Sequence, residues 1–560
     1  MQKRFRAPLA TIITTAALAA FTTLTACGGG GSAAPGGGGG GSGNPPPPAD
    51  FTLTLSTDRA LVIQGHTAEL TATLTRRNGF TGAVTVSLAG LPAGVSAAPV
   101  VIAQGATSAR VTLSATAAAP HSLPTAGRAE GRAGTLADTE PLTVTVGGAP
   151  GVVDTSFHGG AQVLPIGDGE AYATALAVQP DGRVITVGRT STLAGGTDFA
   201  VMRHERDGTL DTSFGNGGKV VTAIAPGAGA DAAQAVAIQP DGRILVAGST
   251  ATSASDLDFV VVRYLANGTL DASFGNGGKV VTPIGPSGDR IHAIAVQDDG
   301  MIVVAGDSDR GSSASGIDFA LARYRHDGTL DAGFGTGGTV ITPIRAQGAR
   351  DSAYALVLQT VGTEQRIVAV GGEGDFVAAR YTAGGALDAS FGNGGKIAGV
   401  WGNSTIGAAQ AVTLAGQQLV LAGQIQNHFA LARLNLDGSL DAGFGSGGRV
   451  STPLSANNWD GATALVRQAD GKLLAGGWVY EGNSSSGNFA VLRYGADGTL
   501  DTGFGTQGVQ VAPAAAAGRS DTGRAVVLQA DPRVPTVRAI QAGEASEGGG
   551  FKFALQRYWL

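Results

Sequence analysis

Seven aspartates and seven arginines are the first residues of this chain whose types and spacing suggest chemistry. The aspartates are Asp154, Asp211, Asp271, Asp331, Asp388, Asp441 and Asp501, each in the pattern Asp-x-Ser/Gly-Phe, and successive copies lie 53–60 residues apart. The arginines are Arg203, Arg263, Arg323, Arg380, Arg433, Arg493 and Arg557, and each of the first six stands eight residues before the next aspartate. Such a set could form a ring of charge around one ligand. It reads better as construction, because one ligand does not need seven equivalent contacts, whereas every copy of a repeat needs the same framework. A partly buried guanidinium requires a carboxylate partner. Each arginine is therefore expected to clamp the Asp-x-Ser/Gly-Phe turn that opens the following copy. Asp154 has no arginine before it in the pattern and Arg557 has no aspartate after it. If the copies close into a ring, these two should meet.

Other chemistries fit less well. Asp437-Gly438-Ser439-Leu440-Asp441 and Asp497-Gly498-Thr499-Leu500-Asp501 loosely resemble calcium loops. Calcium needs six or more oxygen ligands, and the preceding positions vary from Asn435 to Leu265, Arg325 and Gly495, so a plain Asp-Gly turn is the better reading. The seven histidines share no register and no zinc-like spacing. There is no Gly-x-Ser-x-Gly elbow, no phosphate loop, and neither the Asp-box nor the tryptophan-docking repeat of enzymatic propellers. Neither a metal nor a cofactor is expected.

Residues that do not repeat supply another candidate. The segments 225–233, 306–317, 399–408 and 477–487 vary in length and content, while the Gln-Pro-Asp-Gly and Asp-Gly-Thr-Leu-Asp turns stay nearly constant. Function on a repeat scaffold usually lives in the variable loops. The variable set holds Trp401, Trp459 and Trp478, with Tyr480 beside the last, all in the fifth and sixth copies. Exposed aromatics stack on sugars or anchor protein partners. They can also simply pack among the loops.

These residues have to be positioned by β-structure. The copy starting at Asp211 gives Lys219-Val220-Val221-Thr222, Ala235-Val236-Ala237-Ile238-Gln239, Arg243-Ile244-Leu245-Val246-Ala247-Gly248 and Asp258-Phe259-Val260-Val261-Val262-Arg263-Tyr264. These are four strand-like pieces, and Asp241-Gly242 between apolar runs is a hairpin signal. Most copies read Leu-Asp-x-Ser/Gly-Phe-Gly and end in Phe-x-x-x-Arg-Tyr. Residues 151–560 thereby resemble the delta-60 repeat of bacterial secreted proteins, and the resemblance implies a β-propeller. The arithmetic agrees: four strands in each of seven copies make a seven-bladed ring. An open solenoid is the alternative, but its terminal repeats tend to be atypical caps, and here the first and last copies keep their anchor residues. Each blade is expected to take all four strands from one copy, so that the ring closes without strand exchange.

The rest of the chain divides into three. Residues 1–26 read as a lipoprotein signal peptide: Lys3, Arg4 and Arg6 precede an apolar, threonine-diluted stretch, a less apt membrane helix than leader. Leu24-Thr25-Ala26-Cys27 resembles the bacterial lipobox, which implies a lipid on Cys27 and, with Gly28 following, an outer membrane location facing either the periplasm or the cell surface. A free thiol is the other possibility for Cys27, the only cysteine. Residues 27–50 are the lipidated cysteine and a Gly/Pro-rich tether. Residues 51–148 alternate apolar and polar in about seven short pieces, and Gly79-Phe80-Thr81-Gly82 and Gly90-Leu91-Pro92-Ala93-Gly94 resemble bacterial immunoglobulin-like modules, which act as spacers. Residues 121–131, where a strand should fall, carry Pro124 and little alternation.

The expected fold is thus all-β: a small immunoglobulin-like sandwich at 51–148 and a seven-bladed propeller of four-stranded blades at 149–560. A net charge of −6 is the wrong sign for a nucleic-acid binder. An apolar share of 43% is too high for wholesale disorder. The expected function is a surface-anchored, non-catalytic binding or adhesion scaffold that offers its loops, as a monomer, to a carbohydrate or protein partner. The alternative is a periplasmic or surface enzyme acting on a polysaccharide, which carboxylates converging near the axis would favour.

Overall fold

The structure is a computed structural model that describes residues 48–560, apart from 194, 225–228, 254–255, 312–315, 346–348, 403–406, 455–458, 481–485 and 516–519. The expected signal at 1–26, Cys27 and nearly all of the expected tether lie outside the described residues.

Alternation builds the first module. β1 (Asp50–Leu55), β2 (Arg59–Ile63), β3 (Thr67–Arg77), β4 (Val84–Ala89), β5 (Val95–Ala97), β6 (Val100–Ile102), β7 (Ser108–Ala115), β8 (Thr125–Ala133) and β9 (Leu136–Gly147) form two sheets, ordered β1-β3-β7-β5 and β2-β9-β8-β4-β6. The inward set, including Leu53, Leu74, Val86, Val111 and Val144, makes one buried core. The sequence suggests about seven strands; the structure has nine. β8 falls where Pro124 and weak alternation obscure it, because its core-facing positions are Ala129 and Gly131 rather than large apolar residues. A side chain on Gly131 would press on Phe51, Val84 and Leu53, whose bulk fills the space.

Beyond it stand seven four-stranded sheets. Blade one comprises Ala171–Val178, Val184–Ser191, Thr197–His204 and Lys219–Thr222, from the axis outward. The innermost strand of each blade touches that of the next, and the seventh touches the first, so the sheets close into a seven-bladed propeller. Apolar clusters fill the spaces between blades, the last joining Ile540 and Leu555 of blade seven to Leu176 and Val184 of blade one. Third strands such as Phe259-Val260-Val261-Val262 are buried on both faces, which explains their unbroken apolar runs.

The strand assignment corrects one expectation. The outermost strand of each blade follows the next Asp-x-Ser/Gly-Phe motif, so it belongs to the following copy. Blade seven takes Asp521–Ala530, Val537–Glu547 and Gly550–Trp559 from the last copy and Ala161–Leu164 from the first. Leu164 pairs with Phe553 and Ala161 with Gln556, antiparallel. The ring therefore closes by strand exchange. A repeat has no intrinsic starting point in sequence; the eye phases it on its most regular motif, while the chain changes blade after the short strand that follows.

This seam also carries the sandwich. The Trp559 N–H donates to the Val152 carbonyl at 3.0 Å and the Gly151 N–H to the Trp559 carbonyl at 2.7 Å. The Trp559 ring is buried and meets His121 edge-on at 5.7 Å. Gly147 and Gly148, at the end of β9, leave room for that indole.

Candidate functional site

Two sets of side chains occupy equivalent positions in all seven blades of the propeller. The first is the Asp/Arg set. In blade one, Asp211 Oδ1 accepts from the backbone N–H and the hydroxyl of Ser213 at 3.0 and 2.6 Å, and Oδ2 accepts from Arg203 Nε at 2.7 Å. The Arg203 guanidinium lies over the Phe214 ring, 4.6 Å from its centroid. The motif is one object: aspartate caps its own turn, holds the arginine, and phenylalanine supports it from below. The pairs Arg263–Asp271, Arg323–Asp331, Arg380–Asp388, Arg433–Asp441 and Arg493–Asp501 repeat this at 2.7–2.9 Å. Arg557 meets Asp154 at 2.8 Å across 403 residues of sequence.

The partners are not arranged as the sequence suggests. Asp and Arg lie within one blade, at the connection between its third and outermost strands, because the motif belongs to that sheet. The step to the next blade is made by Nη1, which donates from Arg380 to the Leu436 carbonyl at 2.6 Å and from Arg557 to the Arg206 carbonyl at 2.6 Å. The closing pair is the most shielded, with side chains 1% and 0% exposed against 14% and 19% for Arg433–Asp441. Burial pulls the Arg557 guanidinium down to about 10, with Asp154 opposing, and it stays charged at neutral pH.

A further buried aspartate set was not recognised in the sequence. Asp231, Asp289, Asp351, Asp460 and Asp521 accept from backbone N–H groups of the preceding loop at 2.7–3.3 Å. These are loop anchors. Among the described residues, no cluster of His, Cys, Asp and Glu is arranged to hold a metal ion.

The second set lines the axis, and here the residues differ. The innermost strand of every blade has a β-bulge at one residue: Thr174, Gln234, His292, Tyr354, Gln410, Thr463 and Arg524. A bulge re-aims its side chain, and all seven line a central channel of about 580 Å³. The bulge is possible because the opposing position on the second strand is always glycine: Gly188, Gly248, Gly306, Gly371, Gly423, Gly477 and Gly543. A side chain there would fall deep inside the carbonyl oxygen of the neighbouring strand, for example that of Tyr172 or Ala232. Below the polar collar come one small layer, made of Ala175 and its equivalents, and one aliphatic floor including Leu176, Ile294, Leu356 and Leu465.

The collar is asymmetric. Thr174 and Thr463 donate to the next blade's carbonyls, Ala233 at 2.8 Å and Gly523 at 2.9 Å, and are therefore tied to the framework. Arg524 pairs with Glu544 at 2.7 Å; burial opposes its charge, but the carboxylate more than compensates and raises its pKa. His292 Nε2 donates to Asp307 Oδ2 at 2.7 Å, and its ring packs on Tyr354 at 5.1 Å. Burial raises the Tyr354 phenol, which stays neutral. At the mouth, Arg189 lies over the Tyr172 ring at 4.8 Å. Burial and a 2.8 Å bond to Glu170 push Tyr172 up to about 12. The Gln234 and Gln410 amides find no hydrogen-bond partner among the described residues.

The sequence carries a signal for this collar. The bulge residue is the centre of an Ala-x-Ala triplet in five blades, with Ile291-His292-Ala293 and Gly523-Arg524-Ala525 in the other two. The aromatic candidates only partly come together. Trp459 and Tyr480 face each other in register in blade six, and Trp478 meets Tyr480 edge-on at 5.1 Å. Trp459 is 61% exposed. Trp401 does not join them: it follows the outermost strand of blade four and packs on Phe376 of that blade at 6.1 Å, so the strand exchange separates it from blade six.

Among solved structures, the chain is similar to the tail fiber of a Staphylococcus aureus phage at 11% identity, covering 58% of this chain and 50% of that one, with a TM-score of 0.26. It thus spans half the length of that fiber. It is also similar to domains 5–6 of the S-layer protein SbsC at 16% identity, 43% and 98% coverage and a TM-score of 0.15, and to a DUF4784 family protein from Bacteroides caccae at 7% identity, 72% and 96% coverage and a TM-score of 0.24. Likenesses at these scores carry no argument about function. No curated protein matches the chain. Residues 179–214, 239–274, 297–334, 365–391, 418–444 and 468–504 match a family model described as a domain of unknown function (DUF5122) beta-propeller, and these segments cover blades one to six, each from its inner hairpin to the Phe of its Asp/Arg clasp.

Proposed function

We propose that the protein is a non-catalytic binding or adhesion scaffold of the delta-60 repeat type, whose propeller axis receives a carbohydrate or protein partner. One observation carries the reading. The framework around the bulge repeats in every blade, glycine opposite and small residues beside it, yet the bulge residue itself is Thr, Gln, His, Tyr, Gln, Thr and Arg in turn. A position held open seven times and filled with chosen polar groups is suited to one asymmetric ligand. The charged collar groups lining the channel favour binding over catalysis, because Glu544 is already neutralised by Arg524. Trp459, Trp478 and Tyr480 extend the contact surface over blade six. In this reading the immunoglobulin-like sandwich is a spacer, and the lipid on Cys27 anchors the chain to the outer membrane.

The test is a binding screen of the full chain against glycans, cell-wall fragments and extracted surface proteins. A partner that is lost in a Tyr354→Ala, Gln410→Ala double variant of unchanged melting temperature supports the reading. A complete screen without a partner, or consumption of an offered polysaccharide, overturns it. Separately, Cys27→Ser should leave an uncleaved precursor or release the chain from membranes; normal processing and membrane retention of the variant would remove the anchor from the proposal.

A further inference from the structure

We infer that the collar takes the terminal unit of a carboxylate-bearing sugar, with Arg189 as its anion contact; this rests on the binding-scaffold reading above. The polar groups are not spread evenly around the axis. Blades two to five contribute a continuous arc of Gln234, His292, Tyr354 and Gln410. The two amides stand on blades three apart in a ring of seven, so they approach the axis from nearly opposite sides, and each offers a donor and an acceptor. That combination reads hydroxyl groups, which also donate and accept. The stacked His292–Tyr354 pair between them adds a flat edge and a neutral phenol.

The other side of the collar is already engaged. Both threonines are tied to backbone carbonyls, and Arg524 is held by Glu544. Arg189 differs: it lines the channel at blade one, with its guanidinium over Tyr172 and no carboxylate within salt-bridge distance among the described residues. The nearby Glu170 is turned to the Tyr172 hydroxyl, and on blade three Arg290 is balanced by Asp307 at 3.7 Å. Among the described residues, the guanidinium fork of Arg189 is thus the one lining cation still available to take a carboxylate in the bidentate manner such groups prefer. A ligand with hydroxyls on one side and a carboxylate on the other meets both halves.

The floor sets how the ligand enters. Below the collar the channel is ringed by aliphatic side chains, Leu176, Ile294 and Leu356 among them. These offer nothing to a hydrated chain passing through, but they suit the C–H face of one sugar ring. A volume of about 580 Å³ holds one or two sugar units. The site therefore reads a chain end or a free acidic sugar rather than the middle of a polymer.

The experiment titrates the full chain by calorimetry at low salt with D-glucuronate, D-galacturonate, D-glucose and acetate. At least one uronate should bind with a Kd in the roughly millimolar range or tighter, at least tenfold better than glucose or acetate. Arg189→Met should abolish that preference while leaving the weaker glucose binding, Gln234→Ala and Gln410→Ala should weaken both, and Arg467→Met, an exposed arginine outside the channel, should change neither. Equal binding of glucose and uronate by the unaltered chain overturns the anion contact. Uronate binding that survives Arg189→Met and Gln410→Ala places the site elsewhere and overturns the inference, while the scaffold reading stands. Failure of every sugar, with capture of a protein partner lost in the collar variants, has the same effect. Turnover of a uronate polymer that Arg189→Met blocks sinks the non-catalytic reading and leaves the collar assignment in place.

Discussion

The outer clasp and the axial collar are built on the same sevenfold framework and treat their side chains in opposite ways. At the clasp, Asp, Arg and Phe recur in all seven blades, and the Nε–Oδ2 distance stays within 2.7–2.9 Å. At the collar, the backbone bulge and its glycine recur, but the side chain at the bulge takes five different types. Repetition with fixed chemistry marks what a blade needs in order to stand. Repetition of backbone alone marks what the molecule leaves free for a task. The comparison predicts that clasp and glycine substitutions cost stability and spare specificity, and that collar substitutions do the reverse.

The largest effect should come where the clasp is most buried. Arg557→Ala takes the nearest cation from a wholly inaccessible carboxylate, leaving it only Arg538 at 3.6 Å, and should cost about 3 kcal/mol, read as a drop in unfolding free energy. Arg433→Ala, in the most exposed pair, should cost about 1 kcal/mol; equal losses at the two sites would break the link between burial and clasp strength. Next is the glycine that admits the bulge. Gly306→Ala forces a methyl group into the Arg290 carbonyl and should cost about 3 kcal/mol, the upper end of overpacking. A neutral result would mean that the bulge does not depend on glycine.

Acid should separate the two aspartate sets. Burial opposes it, but hydrogen bonds from Ser273 and the charges of Arg263 and Arg243 hold the Asp271 carboxyl down at about 2, and Asp211, Asp331, Asp388, Asp441 and Asp501 are lowered as well. A lowered group contributes stability above its unfolded pKa, about 3.9, and loses it as pH falls through the folded value. Burial raises Asp289, Asp460 and Asp521, so their contribution is present at low pH and lost as pH rises through their folded values. Melting temperature should therefore rise on mild acidification from neutrality and then fall towards pH 2. Asp289→Asn should flatten the rise and leave the fall; a monotonic profile in the unaltered chain would contradict this division. The smallest effect belongs to the collar: Gln234→Ala and Gln410→Ala should stay within about 0.5 kcal/mol of the parent. A larger loss would make the amides structural and erase the contrast.

Much of the clasp was legible because its chemistry repeats along the chain. Asp154 and Arg557 could be matched by elimination, as the two members left without neighbours in the pattern. The phase of the blades was not legible, since Lys219-Val220-Val221-Thr222 looks equally at home in either of two sheets; only pairing decides it. Phe214 and its equivalents stand in the sequence motif, but their role comes from the guanidinium that lies over the ring, a contact made only in the fold. The collar stayed hidden because a β-bulge breaks the period of two at the residue that matters. Thr174 and Arg524 share nothing by type, and only the Ala-x-Ala or Gly-x-Ala frame and a glycine on the next strand connect them. Trp401 shows the opposite hazard: a large aromatic in a variable loop drew notice, and it serves mainly to cover Phe376.

The exchanged strand also sets an order in time. Ala161–Leu164 emerges well before its partner around Phe553, with nearly 400 residues synthesised between them. Six blades can form as the chain lengthens, each waiting only for a short strand of the next copy. The seventh cannot, and contacts between such distant segments are slow to form. Until the last strand arrives, Ala161–Leu164 has no neighbour to pair with, and open sheet edges of that kind recruit other chains. Closure of the ring should therefore be slower than the folding of any single blade, and the interval before it is when aggregation competes most strongly with folding.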